Sequence, residues 1–179
     1  MENLNLILPE IFLSLSIFTT LLIGVFFKNS YNLVTNINYI IIISLLLIIF
    51  NSFSDTGNLF SNSFVSNSFT NFFKILILLG TLFVMLITQD FIKEMKINYF
   101  EYPLLLLFSV LGMFLMISSN DLMSFYLGLE LQSLALYILA SIDRDNLKSN
   151  ESGIKYFVLS ALSSGLLLYG CSLLYGFTG

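Results

Sequence analysis

Polar and apolar residues fall along this chain in long blocks rather than short periods. Six apolar blocks run over Leu6–Phe27, Asn36–Phe53, Phe72–Phe91, Tyr102–Ser118, Asp121–Ile142 and Gly153–Phe177. Most approach the ~20 residues that a bilayer-spanning helix needs. None shows the alternation of a barrel strand, and a backbone inside lipid must satisfy its own hydrogen bonds, so each block is expected to be a helix. The expected fold class is an all-α integral membrane protein with six transmembrane helices.

The polar punctuation fits that division. Pro9 and Glu10 open the first block, where proline is tolerated and a carboxylate complements the helix dipole. The second block, NINYIIIISLLLIIFNSF, is nearly featureless and is expected to face lipid. The Ser- and Asn-rich stretch SDTGNLFSNSFVSNSFTN that follows reads as a surface loop. Lys74 opens the third block and is expected to snorkel to the membrane surface. Gln89 and Asp90, near that block's end, are expected to be solvated. Glu101 and Pro103 begin the fourth block, and Ser119–Asn120 alone separates it from the fifth, with Asp121 a plausible N-cap. Blocks four and five should therefore form a tight antiparallel hairpin. Ser149 to Ser152 offer caps for the sixth.

Composition sharpens this picture. The chain of 179 residues is 57% hydrophobic and 10% charged, against about 25% charge in soluble domains. Its net charge of −4 is spread thinly, and no basic run points to nucleic acid. With no histidine and Cys171 as the one cysteine, the chain offers no His-ligated metal or haem, no iron–sulfur cluster and no internal disulfide. No cofactor is expected. Lys28, Lys93, Lys96, Arg144 and Lys148 follow blocks one, three and five, so both termini are expected on the face away from these basic loops. The acidic start MENLNLILPEIF resembles neither a secretory signal nor a transit peptide. Abundant Phe, Ile, Leu, Asn and Tyr, residues with AT-rich codons, hint at an organellar genome.

Glu130 is the candidate for chemistry. It is a lone ionisable group near the middle of DLMSFYLGLELQSLALYILASI. A charged side chain at that depth costs about 2.5–3.5 kcal/mol on insertion scales, and such groups commonly mark ion or proton routes. The alternative is a carboxyl that only glues two helices together. Lys155, early in the sixth block, is the candidate counter-charge, or else a lysine snorkelling to phosphates. A helix starting near Asn150 would leave the two about 10 Å apart along the axis, a gap for water rather than a salt bridge. Ser124, Gln132 and Ser133 on helix five, and Ser160, Ser163 and Ser164 on helix six, are candidates for a polar path or for helix packing, packing being favoured. Gly128 is placed to permit close helix approach.

The strings LELQSL and KYFVLSALSSGLLLYG, within a strong match over Tyr102–Gly179, and the LPEIF start closely resemble the subunit 2 family of NADH dehydrogenase. These are antiporter-like membrane subunits of mitochondrial respiratory complex I. The resemblance implies the N-terminal portion of an antiporter-like fold, with a first three-helix segment over 1–100 and helices four to six of a half-channel repeat over 101–179. It implies that Glu130 and Lys155 belong to a matrix-side proton path and to the charged axis of the membrane arm. It also implies a non-redox subunit of a proton-translocating NADH:ubiquinone reductase, in the mitochondrial inner membrane, with both termini toward the intermembrane space. Full-length members have about fourteen helices in inverted repeats. The expected partners are therefore a second polypeptide carrying the remaining helices, neighbouring antiporter-like and small membrane subunits, and lipid. The competing readings are a structural scaffold of the same complex and a subunit of a related cation/proton antiporter.

Overall fold

A computed structural model describes residues 4–27, 30–94 and 99–178. Lys28, Lys96 and the side chain of Lys93, three of the cations used to orient the chain, lie outside the described residues. A 3-10 turn, Leu4–Leu6, leads into six helices: α1 Leu8–Phe26, α2 Tyr31–Asn51, α3 Ser68–Glu94, α4 Glu101–Ser118, α5 Leu122–Ala140 and α6 Leu147–Thr178. All six are long and apolar enough to cross a membrane. Each expected block is a helix, with ends shifted by a few residues. The largest shift is at α6, which starts at Leu147 rather than among Ser149–Ser152, with the Lys148 N–H donating to Asn146 Oδ1 at 3.1 Å.

The core lies among α1, α2, α3 and α4. Leu13 and Ile17 meet Ile42, Leu45 and Ile49, while Leu78, Leu107, Val110 and Phe114 close it from α3 and α4. This core draws on both sides of the boundary expected at residue 100. It also narrows the reading of α2 as a lipid-facing helix: Val34, Ile42, Leu45 and Ile49 are fully buried, while Ile40, Ile43, Leu47 and Phe50 are exposed on its other flank. A helix that is apolar on all sides carries no stripe to show which flank is covered. Its position between α1 and α3 decides that instead.

The Ser- and Asn-rich stretch also departs from expectation. It contains an antiparallel β-hairpin, β1 Gly57–Leu59 and β2 Phe64–Ser66, with Gly57 opposite Ser66 and Leu59 opposite Phe64. Its turn holds Phe60, Ser61 and Asn62 at positive φ, a region that non-glycine residues seldom enter. Outside contacts hold it there. The Asn120 N–H donates to the Ser63 carbonyl at 2.9 Å, and Asn120 Nδ2 to the Asn62 carbonyl at 3.0 Å. Phe64 also bridges to Ser119. The hairpin is thus fastened over the α4–α5 turn.

Candidate functional site

α4 and α5 approach so closely that glycine is required on both. A Cβ on Gly112 would lie 2.5 Å from the Gln132 nitrogen and 2.8 Å from the Gly128 carbonyl oxygen. One on Gly128 would lie 2.9 Å from the Met116 nitrogen. These obstacles are largely backbone, which cannot step aside. The closeness expected at Gly128 is present, and with it the tight antiparallel hairpin. Asp121 occupies the N-cap position of α5 without a side-chain capping bond.

Glu130 sits two residues beyond Gly128, on another flank of α5. Seven residues, or two helical turns, separate it from Tyr137, so both lie on one stripe. Tyr137 packs edge-on against Tyr156 and Phe157 of α6, with ring centroids 4.8 and 5.7 Å away. The stripe that carries Glu130 therefore faces α6. Its side chain is half-buried, and Oε1 is buried without a hydrogen-bond partner among the described residues. A buried carboxylate oxygen left in that state calls for a proton or a water.

The α5–α6 register follows from two contacts. Ser141 lies against Gly153, where an added Cβ would meet the serine Cβ at 2.5 Å, and Tyr137 lies against Tyr156 and Phe157. Continued along two antiparallel helices, this puts Glu130 level with Ser163 and Ser164. Lys155 falls level with Leu139, about 13 Å from Glu130 along the axis. Lys155 is also turned away, because two residues beyond Gly153 is about 200° round the helix. Its ammonium instead bonds Glu151 Oε1 at 2.6 Å on an exposed surface. The structure does not bring Lys155 to Glu130.

The remaining candidates divide. Ser160 and Ser164 are half-buried on the α6 stripe that runs from Gly153 to Cys171, whereas Ser163 is exposed. Ser163 and Ser164 donate to carbonyls of their own helix, as Ser133 does to Leu129. Ser124 lines a cavity of about 310 Å³ beneath the hairpin. Gln132 meets α4 through its backbone at Gly112. Asp90 is exposed, as expected.

One site was not foreseen. Lys74 does not snorkel: it is fully buried, and its ammonium donates to Glu10 Oε1 at 2.6 Å, with Glu10 only 4% exposed. Ser118 Oγ donates weakly to the same oxygen at 3.4 Å. The ring centroids of Phe64 and Phe114 lie 5.5 and 5.8 Å from Nζ, within cation–π range. Glu10 Oε2 is buried without a partner among the described residues. A usable signal was helix parity. The starts of α1 and α3 lie at the same end of an up-and-down bundle, so a charge in the first turn of α1 and one in the second turn of α3 fall near one level.

A family model described as "NADH:quinone oxidoreductase/Mrp antiporter, TM" matches residues 119–179, the part holding Glu130 and Lys155. The chain is 59% identical over 180 residues to NADH-quinone oxidoreductase subunit N of Pelagibacter ubique, covering all of this chain and 38% of that protein. It is 51% identical over 178 residues to subunit N of Bartonella bacilliformis, covering 99% of this chain and 36% of that one. Its fold matches a chain in the structure of respiratory complex I from Thermus thermophilus with bound aureothin. There the TM-score is 0.80 at 26% identity, over 96% of this chain and 37% of that chain. The chain thus spans little more than a third of the length of the curated relatives it matches. These relatives are bacterial. Fold and sequence agree that this chain is similar, end to end, to a part of subunit N, an antiporter-like membrane subunit of bacterial NADH-quinone oxidoreductase.

Proposed function

We propose that the chain works in the membrane arm of a proton-translocating NADH–quinone oxidoreductase, with Glu130 as a proton-accepting group and no redox chemistry of its own. The observation that carries this is the unpartnered, buried Oε1 of Glu130 on the α5 flank facing α6. A carboxyl that merely glued helices would have its oxygens taken up by donors. In this reading Lys155 belongs to the same path nearer the α5–α6 turn, about 13 Å from Glu130 along the axis, with its charge offset by Glu151. The neighbours in this reading are other membrane subunits of the complex, and helices that cover α6, carried on this chain's longer form or on a second polypeptide. The glycines of α6 support that cover: a Cβ on Gly165, Gly170 or Gly176 meets nothing within 4 Å. The bacterial relatives make the setting a proton-tight energy-transducing membrane, in a bacterium or in an organelle descended from one.

The test is Glu130→Gln in the assembled complex, with proton uptake measured per NADH oxidised. The expected result is a loss of several-fold in that ratio with the complex still assembled. An unchanged ratio would assign the chain to a scaffold. Sequencing every membrane chain of the purified complex checks the source of the covering helices.

A further inference from the structure

We propose that Glu10 and Lys74 form a second proton-exchange site, distinct from Glu130, that opens toward the cavity beneath the hairpin. This rests on the transport reading above. Glu10 and Lys74 are buried among apolar side chains, yet the pair is incompletely satisfied. Oε1 accepts from both Lys74 and Ser118, while Oε2 accepts from no group among the described residues. A pair serving only to hold helices together gains from filling every lone pair, since desolvating two charges is repaid only by excellent geometry and further hydrogen bonds. The vacant oxygen is where a proton or a water fits.

The surroundings supply a way in. Three neighbours of the pair line the 310 Å³ cavity. Ile7 stands three residues before Glu10, near the same flank of α1. Ser119 follows Ser118. Phe64 lies with its ring 5.5 Å from Nζ. Ser63, Ser119 and Ser124 also line that space, which is otherwise apolar and has room for several waters at about 30 Å³ each. Phe64 belongs to the hairpin, so a shift of β2 alters access to the ammonium. Loading moves one proton from a hydronium to Oε2. An O–H bond forms, a water is released, and the pair passes from zero net charge to +1. Unloading reverses each change. Lys74 keeps its proton throughout and holds the carboxylate in place between cycles.

The test replaces both members together, Glu10→Met with Lys74→Met, in the assembled complex, and measures protons moved per NADH oxidised. Removing both charges spares the fold the lone buried ion that either single change would leave. The expected result is a ratio reduced about two-fold or more. Phe64→Ala, which opens the cavity to the ammonium, is expected to make the ratio more sensitive to an opposing membrane potential. An unchanged ratio in the double variant overturns the proposal, and so does failure of that variant to assemble, which would assign the pair to the fold. Glu130→Gln runs beside it. If Glu130→Gln lowers the ratio and the double variant does not, this site falls alone. If neither does, the transport reading falls with it.

Discussion

Two acid–lysine pairs in this protein share one distance and almost nothing else. Lys74–Glu10 and Lys155–Glu151 each measure 2.6 Å. The first is 0% and 4% exposed and joins α1 to α3 across 64 residues. The second is 70% and 63% exposed, one turn apart on a single helix. An exposed i,i+4 pair contributes about 0.3–0.5 kcal/mol. Removing one member of a buried pair costs about 3–5 kcal/mol, because a lone ion remains in a medium that cannot solvate it. The separation between charges is thus a poor guide to their importance. What surrounds them decides it.

The contrast can be broken most forcefully at Lys74. Lys74→Met alone should lower stability by about 3–5 kcal/mol, and adding Glu10→Met should restore most of it. Detergent-resolved unfolding of the three proteins checks this, and equal losses in single and double variants would contradict it. Next in size is Gly112→Ala. The added methyl group meets the backbone of α5 at 2.5 Å, so α4 and α5 must part, at about 1–3 kcal/mol. Gly165→Ala is its control on α6. With nothing within 4 Å of the new carbon, it should be neutral or stabilising by up to about 1 kcal/mol in the chain by itself, through helix propensity, and lose that gain where other helices cover α6. The smallest effect belongs to the exposed pair: Glu151→Gln should change stability by less than about 0.5 kcal/mol.

The same contrast explains what could be read before the fold was known. Six helices were legible because long apolar runs have few other fates in lipid. The expected depth of Glu130 rests on its place near the middle of an apolar block, with Gln132 and Ser133 as its nearest polar neighbours in the chain. The partner of Lys74 was not, since a lone lysine at a helix end looks alike whether it reaches for phosphates or for an acid 64 residues away. The fate of Lys155 turned on rotation. Two residues past Gly153 it looks away from α5, whatever its height on α6. The hairpin escaped because its turn uses Phe60, Ser61 and Asn62 at positive φ, where glycine would have announced it. Those torsions depend on Asn120, which lies far along the chain.

α6 carries one more implication. Its 32 residues extend about 48 Å, against a hydrocarbon slab of about 30 Å. Its first nine residues, Leu147 to Lys155, include Lys148, Asn150, Glu151 and Lys155 and are polar enough to stand among the headgroups. The remaining 23, Tyr156 to Thr178, extend about 35 Å, long enough to cross the acyl chains with some tilt.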